Sequence, residues 1–211
     1  MDQKFWSGED FEKALLSSVL PHDSPKEPRT LEEALSCPEA TLWRKAMQEE
    51  LASLRKHETW RLVPPGPHCR PIGCKWVFKI KYNGDGTINK YKARLVAQGF
   101  MQQKGFDYNE TFSPVAKMTS IRVILAVAAH AGWTVHQMDV NSAYLNRDID
   151  KDIFMSQPPG FRDKKYPDWV CLLGKSLYGI KQAGRLWYAV IKAFLLEIGF
   201  RQSDADPCVF I

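Results

Sequence analysis

Residues 135–146, VHQMDVNSAYLN, hold the residue types in this chain with the most obvious chemical potential. Val135, Gln137 and Asp139 alternate with Thr134, His136, Met138 and Val140, the period-two pattern of a strand. The stretch delivers one carboxylate, Asp139, to its end, and an aromatic, Tyr144, follows five residues later. A buried, unpaired carboxylate is costly. The residues alone leave two readings open, a turn-capping aspartate and a metal ligand. His136 falls on the face opposite Asp139 and reads as a packing histidine. Asp148, Asp150 and Asp152 also repeat at period two, and they read as a solvated turn.

A second constellation is basic. Residues 70–105 carry eight Lys or Arg against Asp85 alone, whereas residues 1–69 carry nine basic and twelve acidic residues. The overall charge of +5 is therefore a local excess. Within 73–100, GCKWVFKIKYNGDGTINKYKARLVAQGF, Trp76, Phe78 and Ile80 alternate with Lys75, Val77, Lys79 and Lys81. The Asn83-Gly84-Asp85-Gly86 stretch supplies residues that tolerate positive φ at a hairpin turn. In the returning strand Lys90, Lys92 and Arg94 share a face opposite Tyr91, Ala93 and Leu95. Such a charged ribbon suits a phosphate chain, whose counterions each Lys or Arg displaces.

The elements that must position these groups follow from periodicity and breakers. PHDSPKEPRT, 21–30, reads as a linker, so residues 1–30 are expected to be a linker or flexible N-terminus and 31–211 one domain. A helix is expected from Pro38 at its first turn through Trp43, Met47, Leu51 and Leu54 to about His57, before VPPGP at 63–67. IRVILAVAAH, 121–130, is apolar almost all round and predicts a buried helix capped by Thr119 or Ser120 and ended by Gly132. WTVHQMDV is expected to be the strand after it. Short strands are expected in IFMSQPPGF (153–161), WVCLL (169–173) and the closing CVFI. A helix with Leu186, Val190, Phe194 and Ile198 on one face lies between the last two. Trp43, Trp60, Trp76 and Trp187 read as packing residues. Lone strands alternating with helices predict an α+β fold.

The totals exclude some classes. With 211 residues and 45% apolar content, the chain can bury a core. It has no run of eighteen apolar residues, so no membrane partner is expected. Its acidic N-terminus lacks the order of a secretory signal, which makes an intracellular location the expectation. Five scattered cysteines fit reduced thiols. Cys69 and Cys74, with His68, lack a second ligand pair at zinc spacing.

Taken in order, WRKAMQEELASL, TWRLVPPGP, IGCKWVFKIKYNGDGTINKYKARLVAQGF, YNETFSPVAKMTSIRVILAVAA, GWTVHQMDVNSAYLN, MSQPPGF and KSLYGIKQAGRLWY resemble the Ty1/copia-type retrotransposon reverse transcriptase over about residues 31–211. The resemblance implies the fingers and first part of the palm of a right-hand polymerase, with a basic β-hairpin and an incomplete antiparallel palm sheet. Such a domain normally sits in a Pol polyprotein with integrase and ribonuclease H. The implied partners are an RNA or DNA template-primer and a dNTP. Asp139 matches the first catalytic aspartate, a ligand of two Mg²⁺ ions that the backbone carbonyl at Val140 joins. Tyr144 matches an aromatic that excludes the ribose 2′-hydroxyl. Lys92 and Arg94 lie in the triphosphate-gripping strand. Tyr178, Gly179 and Gln182 match the loop that supports nucleotide and template. Lys75, Lys79, Lys81 and Lys90 are the nucleic-acid-binding candidates.

The chain departs from the family pattern at three points. Arg147 stands where glycine is common, so a strained or altered turn is expected there. Gly184 stands where proline is frequent, but glycine also occurs there in the family, so this departure carries little weight. No adjacent aspartate pair follows Asp139; Asp204 and Asp206 are separated by Ala205 and match the family's Asp-Pro before a strand, which is no metal site. The chain as given ends at Ile211, before the family's aspartate pair. Two-metal chemistry needs carboxylates from both sides of the site. The expectation is a polymerase segment that is inactive alone, with a non-catalytic nucleic-acid-binding remnant built on 73–100 as the alternative. The closing CVFI is expected to be an unpaired apolar edge.

Overall fold

The structure is a computed structural model, and it describes residues 25–67 and 69–211. Residues 1–24, with most of the expected N-terminal linker, and His68 lie outside the described residues. The chain is a mixture of helix and sheet in two compact units: residues up to Ala52 with Trp76–Leu95, and Ser53–Lys75 with Val96–Ile211.

The first unit is built on a helix and a two-stranded sheet. A short helix, α1 (Leu31–Ser36), starts where the Thr30 side chain accepts the Glu33 N–H at 3.2 Å. The longer α2 (Ala40–Lys56) follows, and Pro38 lies in the turn before it rather than in its first turn. Proline fits there because the turn asks nothing of its missing N–H. Strands β2 (Cys74–Tyr82) and β3 (Ile88–Ala97) pair across a turn closed by the Asn83 N–H donating to Thr87 O at 2.8 Å. Burial alternates strictly along β2, with Trp76, Phe78 and Ile80 inside and Lys75, Lys79 and Lys81 outside. Trp43 of α2 is fully buried and meets the Phe78 and Tyr91 rings edge-on, at 5.2 and 4.7 Å between centroids. Each such aromatic pair adds about 0.5–1.5 kcal/mol to the burial itself.

The second unit holds a three-stranded sheet in the order β1-β5-β4, from β1 (Trp60–Val63), β4 (Phe154–Met155) and β5 (Val170–Leu173). Both pairings are antiparallel, Trp60 opposite Leu173 and Met155 opposite Cys171. Ile153, Met155, Cys171, Leu173, Leu177 and Leu186 form its buried centre. Burial pushes the thiols of Cys74 and Cys171 up, to about 11 and about 12. They are apolar core residues at neutral pH. Helix α4 (Ala183–Glu197) buries its first turns only: Leu186 is inside, while Phe194 and Ile198 are more than half exposed.

Several expectations are corrected here. Helix α3 (Met118–Ala131) forms and ends on Gly132 in a left-handed conformation (φ 66°), but its cap residue is Lys117; Thr119 and Ser120 lie in its first turn. It is not buried, since only Ala128 is inside and Val123 is 61% exposed. Residues 133–140 form no strand; they run exposed without a ladder partner among the described residues. Alternation reports which side chains could line a sheet face, yet a strand exists only where a neighbour supplies hydrogen bonds. His136 is accordingly exposed rather than packed. The closing CVFI is not an unpaired edge. It folds back on residues 201–203, with Arg201 and Ile211 exchanging backbone hydrogen bonds at 2.7 and 2.8 Å.

Candidate nucleotide and nucleic-acid site

Asp139 and Val140 lie at the end of the exposed 133–140 segment, and both are exposed. After them the chain turns at Ser142, a non-glycine residue at φ 54°, and enters a 3₁₀ turn over Ala143–Asn146. Arg147, expected to be strained, has an ordinary extended φ of −130°. The unusual backbone sits five residues earlier, at a position whose short polar side chain tolerates it better than arginine would.

The 3₁₀ turn places Tyr144 edge-on against Tyr178, at 4.9 Å between ring centroids. Tyr178 belongs to a loop that is pinned from behind. Ala97 N–H donates to Tyr178 O at 2.8 Å, and Gly179 adopts φ +92°. A methyl group on Gly179 would collide with Ala97 O, and one on Gly99 with Gly179 O. These two glycines are therefore there for close backbone approach.

Gln182 is fully buried, and both ends of its amide are engaged. Its nitrogen donates to Asp107 O at 2.9 Å and its oxygen accepts from Gln102 Nε2 at 3.1 Å. Gln102, itself buried, also accepts the Lys181 N–H at 2.7 Å. Gln182 thus holds the 177–183 loop in place. Gln102 is a partner that sequence reasoning missed, because a glutamine between exposed residues carries no periodic signal.

Along β2 and β3, Lys75, Lys81 and Lys90 are exposed. Lys79 is exposed too, but it is paired with Glu27 at 3.3 Å. Lys92 is half-buried, and desolvation, then the neighbouring Arg94 and Lys90, hold its pKa below the usual lysine value. Glu50 of α2 lies beneath this strand. Burial raises its pKa, offset by the Leu95 N–H and by the charges of Lys92 and Arg94. Glu27 and Glu50 are acids whose pairing with the ribbon no spacing rule reveals.

Near the 3₁₀ turn the Asp148–Asp152 acids are not simply solvated. Asp148 is paired with Lys175 at 2.6 Å and Asp150 closely with Arg185. Asp206 is buried, and it accepts the Lys117 and Cys208 N–H groups, each at 2.9 Å. Hydrogen bonds, that from Ser120 first, depress its pKa. It anchors the start of α3.

Among the described residues no group of three or more His, Cys, Asp or Glu gathers where it could hold a metal. Asp139 is one exposed carboxylate, and of the acids that follow it in the chain Asp148 and Asp150 are paired with Lys175 and Arg185. These residues do not fit a two-metal centre.

Residues 57–211 match the family model for reverse transcriptase (RNA-dependent DNA polymerase). The chain is 50% identical over 186 residues to the Retrovirus-related Pol polyprotein from transposon RE1 of Arabidopsis thaliana, covering 88% of this chain and 12% of that protein. It is 49% identical over 185 residues to the corresponding polyprotein from transposon TNT 1-94 of Nicotiana tabacum, covering 88% of this chain and 14% of the relative. To the Transposon Ty1-DR4 Gag-Pol polyprotein of Saccharomyces cerevisiae it is 34% identical over 181 residues, 78% of this chain and 10% of the relative. No solved structure matches. The chain thus spans a small part of the length of these relatives. With seven motif blocks in the family's order and a family match over most of its length, it belongs to the reverse transcriptases of Ty1/copia-type Pol polyproteins.

Proposed function

We propose that this segment contributes the fingers and first part of the palm of a reverse transcriptase, that it grips nucleic acid through the 73–100 ribbon, and that it does not polymerise by itself. Enzymes of this family work with divalent metal ions. By resemblance Asp139 and the Val140 carbonyl would be one side of such a site, which the residues of this segment do not complete; Tyr144, backed by Tyr178, would face the sugar, and Lys92 and Arg94 would stand in the triphosphate-gripping strand. The observation that carries the binding reading is the strict alternation along β2, which turns the lysines outward and the aromatics into the core. Among the described residues Lys75, Lys81 and Lys90 are exposed and have no acidic partner, so they, rather than Lys79 or Lys92, are expected to carry phosphate contacts.

The test is binding of a single-stranded RNA by fluorescence anisotropy across a salt series. Affinity should fall steeply with salt. The triple substitution Lys75→Glu, Lys81→Glu and Lys90→Glu should flatten the log–log slope by roughly 2–3. An unchanged slope sinks the ribbon. Primer extension by the same chain should yield no product, because one carboxylate cannot hold two metal ions. Incorporation that disappears in Asp139→Ala would overturn that part.

A further inference from the structure

Two basic residues of the 70–105 segment, Arg70 and Lys104, are not on the ribbon strands. Arg70 instead lines a cleft of about 350 Å³ in the second unit, together with Met101, Gln103, Phe106 and Phe154. We infer that this cleft receives one unpaired nucleobase of a single-stranded nucleic acid. The inference rests on the reading of this segment as a nucleic-acid binder, and it adds a site for the base where the ribbon takes only the phosphates.

The chemistry of the walls selects the occupant. Phe106 is 77% exposed and Met101 47% exposed at the cleft, with Phe154 half-buried. Phe106 is not on a loose loop. The turn beneath it is closed by Asp107 N–H to Gln103 O at 2.9 Å, Gly105 N–H to Tyr108 O at 2.7 Å, and Gln103 N–H to Asp107 Oδ2 at 2.7 Å. An aromatic held out on a rigid turn beside two other apolar walls is a stacking platform, and every base has a face to stack.

The polar groups exclude a phosphate. Arg70 is countered by Asp152 and Asp107, which line the same cleft, so there is no net positive field for an anion. What remains is a guanidinium fixed by its 3.2 Å hydrogen bond to Gln103 Oε1, and an exposed Asp152 carboxylate. Donors and acceptors around a flat apolar slot match the hydrogen-bonding edge of a neutral heteroaromatic ring. A base stacked within a duplex cannot enter such a slot, so the site is specific for single strands.

The probe is an oligothymidylate carrying one central 2-aminopurine, offered as a single strand and as its blunt duplex. Saturation with the single strand should quench the 2-aminopurine, and the duplex should show no quenching. Phe106→Ala should weaken single-strand binding roughly 5- to 100-fold and abolish the quenching; Phe106→Trp should restore both. The Lys75/Lys81/Lys90→Glu protein should bind more weakly yet still quench at saturation, which separates failure of the cleft from failure of the ribbon. Quenching that survives in Phe106→Ala, or equal weakening of strand and duplex by that substitution, overturns the proposal. So does quenching that Phe106→Trp fails to restore, as expected if a protein side chain is the natural occupant.

Discussion

Glycine 179 shows how much a single missing side chain can hold. Its φ of +92° disfavours any L residue, and its Cα approaches Ala97 O so closely that a methyl group has no room. Gly199 has a similar φ of +99° but open space around it. Comparing the two separates backbone strain from collision. Gly199→Ala should cost about 1–2 kcal/mol, the penalty for a left-handed conformation. Gly179→Ala should cost that and roughly 1–3 kcal/mol more for forced displacement of packed backbone. It should also unseat Tyr178 and loosen the Tyr144 ring that rests on it. Urea unfolding of both variants measures the difference, and equal losses would show that the close approach is not maintained in solution. That Gly179 mattered was legible from the motif around it, but its reason was not. The reason is a contact with Ala97, some eighty positions away in the chain, and no local pattern encodes it.

At the scale of elements, periodicity identified β2, β3, β5 and α2, since each has a covered face whose spacing matches its own geometry, and it identified the 183–197 helix, whose apolar face is covered only over its first turns. The same method misjudged α3 and the segment after it. An apolar helix announces that something should cover it, not that the covering surface is present among the described residues. Ile121, Val123, Ile124, Leu125 and Val127 are all 40–61% exposed. A reader of the sequence would expect a charge at Val123 to be ruinous, on the order of several kcal/mol in a core. The structure predicts the reverse. Val123→Lys should change the stability of this chain by no more than about 0.5 kcal/mol, as at any surface site. It should also reduce binding of a hydrophobic dye, because the patch it interrupts is exposed. A loss of 2 kcal/mol or more in chemical denaturation would mean that α3 is covered in solution after all.

Over the whole molecule, acid should act on the two units differently, because their perturbed carboxyls titrate in opposite senses. In the second unit the charged form of Asp206 accepts two hydrogen bonds from the start of α3, from the Ser120 side chain and the Lys117 N–H, and a third from Cys208 N–H within its own turn. Its folded pKa is depressed, so its contribution is complete above the unfolded pKa, about 3.9, and is lost as pH falls through the folded value. Asp148, held low first by its hydrogen bond from Lys175, works in the same direction. In the first unit Glu50 is raised by burial, so its protonation favours the folded state as pH falls. Asp85 is depressed by Thr87, but that bond joins residues two apart within the 83–87 hairpin turn and ties no elements together. Acidification from pH 6 to about 3 should therefore expose the amides of 118–131 before those of 76–82, as read by hydrogen exchange. Asp206→Asn supplies the control, since its neutral amide resembles the protonated acid. The variant should be less stable than the natural chain at pH 6, and the gap should close as pH falls through the folded pKa of Asp206. A gap that stays constant with pH would mean that α3 is anchored by the shape of the 203–209 turn and not by the charge it carries.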